Sequence, residues 1–145
     1  MTGTEFRSWC TRRVRLLDGA TGSSLRAAGM PAGVCAETWI LEHPQPLQAL
    51  QQAYAAAGSE IVLAPTFGAN RALLGTHGLE AHVADYNRRL IALTREAVGG
   101  SALIAADMTT TGQPVPPDDD AAYARLLDIY TEQANAVLDA GVDLF

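Results

Sequence analysis

The sequence has few cysteines, few basic residues and no long apolar run, and each scarcity excludes a class of protein. Its two cysteines, Cys10 and Cys35, cannot form a disulfide framework. Lys and Arg number 10 against 16 Asp and Glu, so no basic face is available to neutralise the phosphates of a nucleic acid. No run approaches the length of a membrane span, and the N-terminal stretch lacks the apolar segment of a signal peptide. These exclusions predict a cytoplasmic protein with neither a nucleic-acid nor a membrane partner.

Four short apolar runs in a chain that is 48% hydrophobic predict buried strands at residues 14–17, 60–64, 102–106 and 142–145. None alternates polar and apolar residues for long, which favours strands covered on both faces, as parallel strands are. The arginines before and within the first run are expected to form a short solvated basic tail, and residues 1–13 a leader. These arginines are Arg7, Arg12, Arg13 and Arg15.

Three helical patterns separate the predicted strands, at residues 47–57, 83–97 and 123–137. Each pattern is followed by a glycine, the residue type favoured just after a helix C-terminus. Prolines precede the first helix, and Pro116-Pro117-Asp118-Asp119-Asp120 precedes the third, where aspartates complement the helix dipole. The three glycines are Gly58, Gly99 and Gly141.

The resulting order is β-α-β-α-β-α-β, which ends inside a strand at Phe145. About four βα steps are half of an eight-fold barrel, which takes about 250 residues. We therefore expect an α/β fold, the N-terminal half of a (β/α)8 TIM barrel over residues 14–145, truncated after the fourth strand. A complete small α/β domain is the alternative.

The ends of the predicted strands carry the candidate functional residues, because barrel active sites lie at the carboxyl ends of the strands. Asp18 follows the first strand, where its carboxylate could hold an ammonium group. Gly19 and Gly22 let the backbone approach a ligand, and exposed N–H groups there suit a carboxylate or phosphate. The same Asp18-Gly19 pair could equally be a tight turn.

The second and third strand ends also admit two interpretations. Thr66 and Phe67 could line a pocket, or Phe67 could plug the barrel end while Asn70 caps the next helix. Asp107 begins the segment DMTTTG, which could be an ordinary threonine-rich turn. No phosphate-binding loop, dinucleotide fingerprint or paired histidine metal spacing is present in the sequence.

Taken together, several stretches resemble the homocysteine S-methyltransferase family, which includes the homocysteine-binding module of methionine synthase and the betaine–homocysteine methyltransferases. The family signature is an aspartate-glycine-rich turn, an acid in a PE-x-x-N element, and a strand end similar to TNTFxAN. The resemblance spans nearly the whole chain. The matching stretches are LLDGATGSSL at 16–25, the segment 36–74 that contains APTFGAN, HGLE at 77–80 and AGVDLF at 140–145.

The resemblance implies a (β/α)8 barrel that binds zinc through three cysteine thiolates, one late in the barrel and two near its C-terminus. Zinc lowers the pKa of the homocysteine thiol, so that a thiolate attacks a methyl donor and methionine forms. It further implies that Asp18 holds the substrate amino group and that the backbone of Gly19, Ala20, Thr21 and Gly22 receives its carboxylate. Thr66, Phe67 and Asn70 would shape the pocket.

The same resemblance places the zinc cysteines and the catalytic residues beyond Phe145. This chain alone is therefore expected to bind no metal and to be inactive, and its unpaired strand edges predict self-association or pairing with a C-terminal half. Two alternatives remain: a non-catalytic half-barrel or partner subunit, and a different barrel enzyme that uses Asp18 and Asp107 in acid–base chemistry.

Overall fold

The structure, a computed structural model, describes residues 2–145, in which short strands alternate with longer helices. Two strands form a parallel sheet, and helices flank it. The helices are α1 (Gly3–Thr11), α2 (Thr21–Ala27), α3 (Ala36–Glu42), α4 (Pro44–Ala56), α5 (Arg71–Gly75), α6 (Val83–Val98) and α7 (Asp120–Asp139), with a 3-10 turn at Glu80–His82; the strands are β1 (Ile61–Ala64) and β2 (Leu103–Ala106).

Strands β1 and β2 confirm the second and third predicted strands, and they pair in parallel with Ile61 opposite Leu103 and Ala64 opposite Ala106. The apolar residues in these short runs are largely buried because helices cover the sheet. A mixed α/β fold with a parallel sheet is therefore confirmed.

The first and fourth predicted strands are present only as single parallel bridges, so the expectation of four full strands was wrong. Leu17 bridges to Ile61, and Leu144 bridges to Ala105, on opposite edges of the sheet. Each segment has a strand neighbour on one side only, which leaves half of its backbone groups outside the ladder. The spatial order is nevertheless 14–17, β1, β2, 142–145, as a sequential parallel arrangement requires.

The three predicted helices are confirmed as α4, α6 and α7, and their ends use the expected residues. Pro44 occupies the first turn of α4, and Asp119 caps α7 by accepting a hydrogen bond from the Ala122 N–H at 2.8 Å. Gly99 takes the left-handed conformation at the end of α6, with φ of 55°. A residue with a side chain would be strained in this backbone conformation, whereas glycine adopts it without strain.

The short helices α2, α3 and α5 escaped prediction because five to seven residues are too few to display a helical period. Their apolar residues, such as Leu25, Ile40 and Leu74, are buried against α4 and α6 in one core cluster. A second cluster joins β1 and β2 to α6 and α7. Tertiary burial rather than local propensity therefore stabilises these helices.

The N-terminal segment forms a helix that has no buried residue, and Arg7, Arg12 and Arg13 are exposed as expected. Helix α1 begins with a capping box between Thr2 and Glu5. The Arg15 guanidinium lies 3.8 Å from the centre of the Trp9 ring and donates to Glu60 Oε1 at 2.8 Å. Arg15 is thus an anchor for α1, and the expectation of a solvated arginine at this position was wrong.

Candidate functional site

A pocket of about 400 Å³ lies at the carboxyl ends of the strands. It brings together the segments that follow residue 17, β1 and β2, as the sequence predicted, and adds an apolar wall from α2 and α3. Its lining residues include Gly19, Thr21, Gly22, Leu25, Met30, Glu37, Ile40, Pro65, Phe67 and Asp107.

Asp18 lies behind the pocket wall and connects the first segment to β1. Its Oδ2 accepts a hydrogen bond from the Leu63 N–H at 3.1 Å, while its buried Oδ1 has no partner among residues 2–145. Burial raises the pKa of the Asp18 carboxyl, the Leu63 N–H opposes that effect, and the neighbouring Asp107 adds to it. Asp18 therefore acts in part as a substitute strand partner, with one oxygen still available to accept a hydrogen bond.

The glycine-rich turn contributes Gly19, Thr21 and Gly22 to the pocket lining. Gly19 packs so closely on Tyr54 that an added Cβ would lie 2.7 Å from the tyrosine hydroxyl oxygen. Ala20 precedes α2 and its carbonyl accepts hydrogen bonds from Ser24 and Tyr54. Thr21 and Gly22 open the helix, which has no side-chain cap, so the N–H groups of its first turn lack helical acceptors.

The three residues predicted after the second strand have three different environments. Phe67 lines the pocket and is 54% exposed. Thr66 is fully buried, and its hydroxyl bonds to the backbone of Asp107. Asn70 is also fully buried and caps α5 by accepting from the Leu73 N–H at 3.0 Å. Of the three, Phe67 alone contributes to the pocket lining.

Asp107 lines the pocket at the end of β2. Burial raises the pKa of its carboxyl, partly offset by a hydrogen bond from the Met108 N–H. Together with Asp18 it places two acidic groups of raised pKa at adjacent strand ends. Such a pair can accept hydrogen bonds from a cationic group or exchange a proton with a ligand.

Glu37 is a site residue that the sequence reasoning did not select. It lies in the first turn of α3, is 9% exposed, and lines the pocket. Its Oε1 accepts a hydrogen bond from the Gly68 N–H at 2.9 Å, and the Cys35 Sγ lies 3.4 Å from its Oε2. The acid of the PE-x-x-N element was the available signal, but the short helix that turns it inward was not predictable.

A parallel α/β fold with a ligand-sized pocket at the carboxyl ends of its strands belongs to the large class of α/β proteins that bind small molecules at that edge. Residues 15–145 match the family model for homocysteine S-methyltransferase. The chain therefore belongs to the homocysteine S-methyltransferase family.

Similar curated proteins include two methionine synthases. That of Mycobacterium tuberculosis is 29% identical over 152 residues, and that of Mycobacterium leprae is 27% identical over 158 residues. Each alignment includes 97% of this chain but only 13% and 12%, respectively, of the synthase. The chain therefore spans about an eighth of the length of these relatives.

Similar solved structures include the homocysteine methyltransferase MmuM from Escherichia coli in its oxidized and metallated forms. The TM-scores are 0.75 and 0.78, at 22% and 23% sequence identity. Both superpositions include 96% of this chain and 55% of MmuM. At this level of identity the likeness concerns the fold.

Proposed function

We propose that this chain is the N-terminal half of a (β/α)8 barrel that binds homocysteine. In the protein to which it belongs, a methyl group from a donor passes to the homocysteine thiol and gives methionine. The observation that carries this proposal is the pocket, because one cavity collects residues from three successive strand ends. Family membership and the half-length match to MmuM support the same assignment.

The pocket and the Asp18 carboxyl next to its wall together have the parts that a small zwitterionic amino acid requires. Asp18 Oδ1 is the acceptor proposed for the substrate ammonium group, and Asp107 adds negative charge beside it. The N–H groups at the start of α2, around Gly19 to Gly22, would receive the carboxylate. Leu25, Met30 and Ile40 would contact the aliphatic part of the side chain.

Zinc in the parent protein would supply the chemistry by lowering the pKa of the substrate thiol. The residues present do not fit that ion: among residues 2–145, no three His, Cys, Asp or Glu side chains are grouped to hold a metal. Cys35 and Glu37 together provide two ligand-type groups. We propose, from the family resemblance, that residues outside this chain hold the zinc and carry out catalysis, and that this chain contributes to substrate binding.

The sheet edges suggest how the barrel would be completed. Val14, Leu16 and Leu17 on one edge are 81%, 52% and 54% exposed, and Phe145 on the other is 62% exposed. Apolar side chains beside unpaired backbone groups favour pairing with further strands. We therefore propose that the chain pairs with a C-terminal half, or self-associates when that half is absent.

No helix within residues 2–145 is long and apolar enough to cross a membrane. A cytoplasmic site of action is a separate part of the proposal.

A second candidate is a barrel enzyme that uses Asp18 and Asp107 for proton transfer. The raised pKa of both carboxyl groups beside one pocket favours it. The two candidates differ in ligand, since only the first requires homocysteine to bind.

Isothermal titration calorimetry with L-homocysteine on the intact protein that contains this chain tests the proposal. Asp18→Asn keeps an acceptor for the Leu63 N–H and removes the charge. We expect a loss of affinity in Asp18→Asn, whereas Asp139→Asn, at an exposed position, should bind like the wild type. Unchanged affinity in Asp18→Asn would exclude the ammonium assignment, and a wild type that does not bind homocysteine would favour the second candidate.

A further inference from the structure

The turn that carries Phe67 is fixed on both sides of that residue. Before it, Gln133 donates from α7 to the Thr66 carbonyl at 2.7 Å. After it, Asn87 donates from α6 to the Ala69 carbonyl at 2.8 Å. Thr66, Ala69 and Asn70 are all fully buried, yet Phe67 between them is 54% exposed at the pocket. The backbone is thus held while the aromatic ring is presented to the cavity.

Glu37 supplies a further restraint, directly after Phe67 and from the pocket side. Its carboxylate accepts the Gly68 N–H at 2.9 Å. The fit is close, because a Cβ on residue 68 would lie 2.6 Å from Glu37 Oε1. Among the helices α3, α6 and α7 that hold this turn, α3 alone contributes a charged group.

A buried carboxylate is costly unless its oxygens are paired. None of the ion pairs formed within residues 2–145 includes Glu37. Its two oxygens instead face a backbone N–H and the Cys35 thiol. The Gly68 N–H needs an oxygen acceptor at this position, which either a carboxylate or a side-chain amide can supply.

We propose that Glu37 is a positioning residue, which holds Gly68 and thereby fixes Phe67 over the pocket so that the ring contacts the homocysteine side chain. The inference rests on the proposed function for its ligand. The contact between Glu37 and Gly68 does not depend on that ligand.

Nuclear magnetic resonance of the 15N-labelled 145-residue chain tests the contact between Glu37 and Gly68, and a homocysteine titration tests its effect on binding. Glu37→Ala removes the acceptor, and Glu37→Gln keeps an acceptor oxygen without the charge. Glu42→Ala, at an exposed position of the same helix, is the matched control. The first readouts, without ligand, are the chemical shift of the Gly68 amide and its protection from hydrogen exchange. The second is the Kd for L-homocysteine, measured by calorimetric titration of the intact protein that contains this chain.

In Glu37→Ala we expect Gly68 to lose its protection and the Kd to rise about tenfold, the effect of losing one hydrogen bond. Glu37→Gln and Glu42→Ala should keep the Gly68 signal and a Kd within about twofold of the wild type. If Glu37 instead bound the ligand ammonium group through its charge, glutamine would not restore the affinity.

Three outcomes overturn the inference. In the first, Gly68 retains its shift and protection in Glu37→Ala, which would show that the contact does not restrain the turn. In the second, Glu37→Gln loses binding as fully as Glu37→Ala while Gly68 stays protected, which would make Glu37 a direct ligand of the ammonium group. In the third, both variants bind homocysteine like the wild type. An intact wild-type protein that does not bind homocysteine contradicts the proposed function instead, and the Gly68 signal then still decides the Glu37 contact.

Discussion

The Thr66 side chain joins the ends of two neighbouring strands by bonding to both backbone groups of Asp107. Its hydroxyl donates to the Asp107 carbonyl at 2.9 Å and accepts from the Asp107 N–H at 3.0 Å. Thr66 lies two residues beyond Ala64, the last paired residue of β1. The side chain therefore extends the parallel ladder past the strand and places the Phe67 turn beside Asp107.

Replacing Thr66 with Val removes the hydroxyl and leaves two partly buried backbone groups of Asp107 without this partner. We expect the free energy of unfolding to fall by about 2 kcal/mol, measured by urea denaturation. Thr66→Ser keeps the hydroxyl, so its free energy of unfolding should fall by less. A Thr66→Val chain as stable as the wild type would show that water satisfies these groups.

Gly68 and Glu37 should be energetically coupled because a Cβ at position 68 would lie 2.6 Å from Glu37 Oε1. Gly68→Ala is expected to cost about 1–3 kcal/mol through overpacking. In the Glu37→Ala background the cost should be smaller, since the colliding oxygen is absent, and a double-mutant cycle from urea unfolding measures the difference. Gly3→Ala, where nothing lies within 4 Å of the added carbon, is the control. Additive effects would contradict the close contact.

Asn70 should matter to stability rather than to ligand binding, because it caps α5 and is fully buried away from the pocket lining. Asn70→Ala is expected to lower the free energy of unfolding by about 1 kcal/mol, and Asn70→Ser, another good cap, by less. Homocysteine affinity in the intact protein should stay within about twofold of the wild type. A large loss of affinity with unchanged stability would assign Asn70 to the pocket.

Much of the architecture could be predicted because the signals were local and repeated. The apolar runs predicted β1 and β2, and the helical patterns that precede Gly58, Gly99 and Gly141 predicted α4, α6 and α7. The edge segments around Leu17 and Leu144 could not be distinguished from full strands, because an apolar run does not indicate how many neighbouring strands it pairs with.

The candidate site was predictable at the level of strand ends but not of side-chain orientation. Gly19, Thr21, Gly22 and Phe67 line the pocket, whereas Asp18, Thr66 and Asn70 form hydrogen bonds with backbone groups. Threonine, asparagine and aspartate all bond readily to nearby backbone, so sequence alone does not separate that use from ligand binding. Glu37 was missed because its position depends on a seven-residue helix that only tertiary packing stabilises.

The raised pKa of Asp18 predicts a pH-dependent stability difference between the wild type and Asp18→Asn. Below about pH 4, the ordinary range of an aspartate, Asp18 is protonated in both the folded and the unfolded chain. As the pH rises, the unfolded chain ionises first, and the folded wild type loses the corresponding stability as the pH passes through the raised pKa. Asparagine does not ionise and still accepts from the Leu63 N–H.

We therefore expect Asp18→Asn to be more stable than the wild type at pH 7, with the difference closing as the pH falls through about 4. Urea unfolding of both chains at several pH values measures this difference, and the titrating groups that do not interact with Asp18 cancel in the comparison. Asp139→Asn, at an exposed position, should follow the wild type throughout. If Asp18→Asn is instead less stable at neutral pH, the Asp18 charge stabilises the fold. An aspartate at this position then needs no functional explanation.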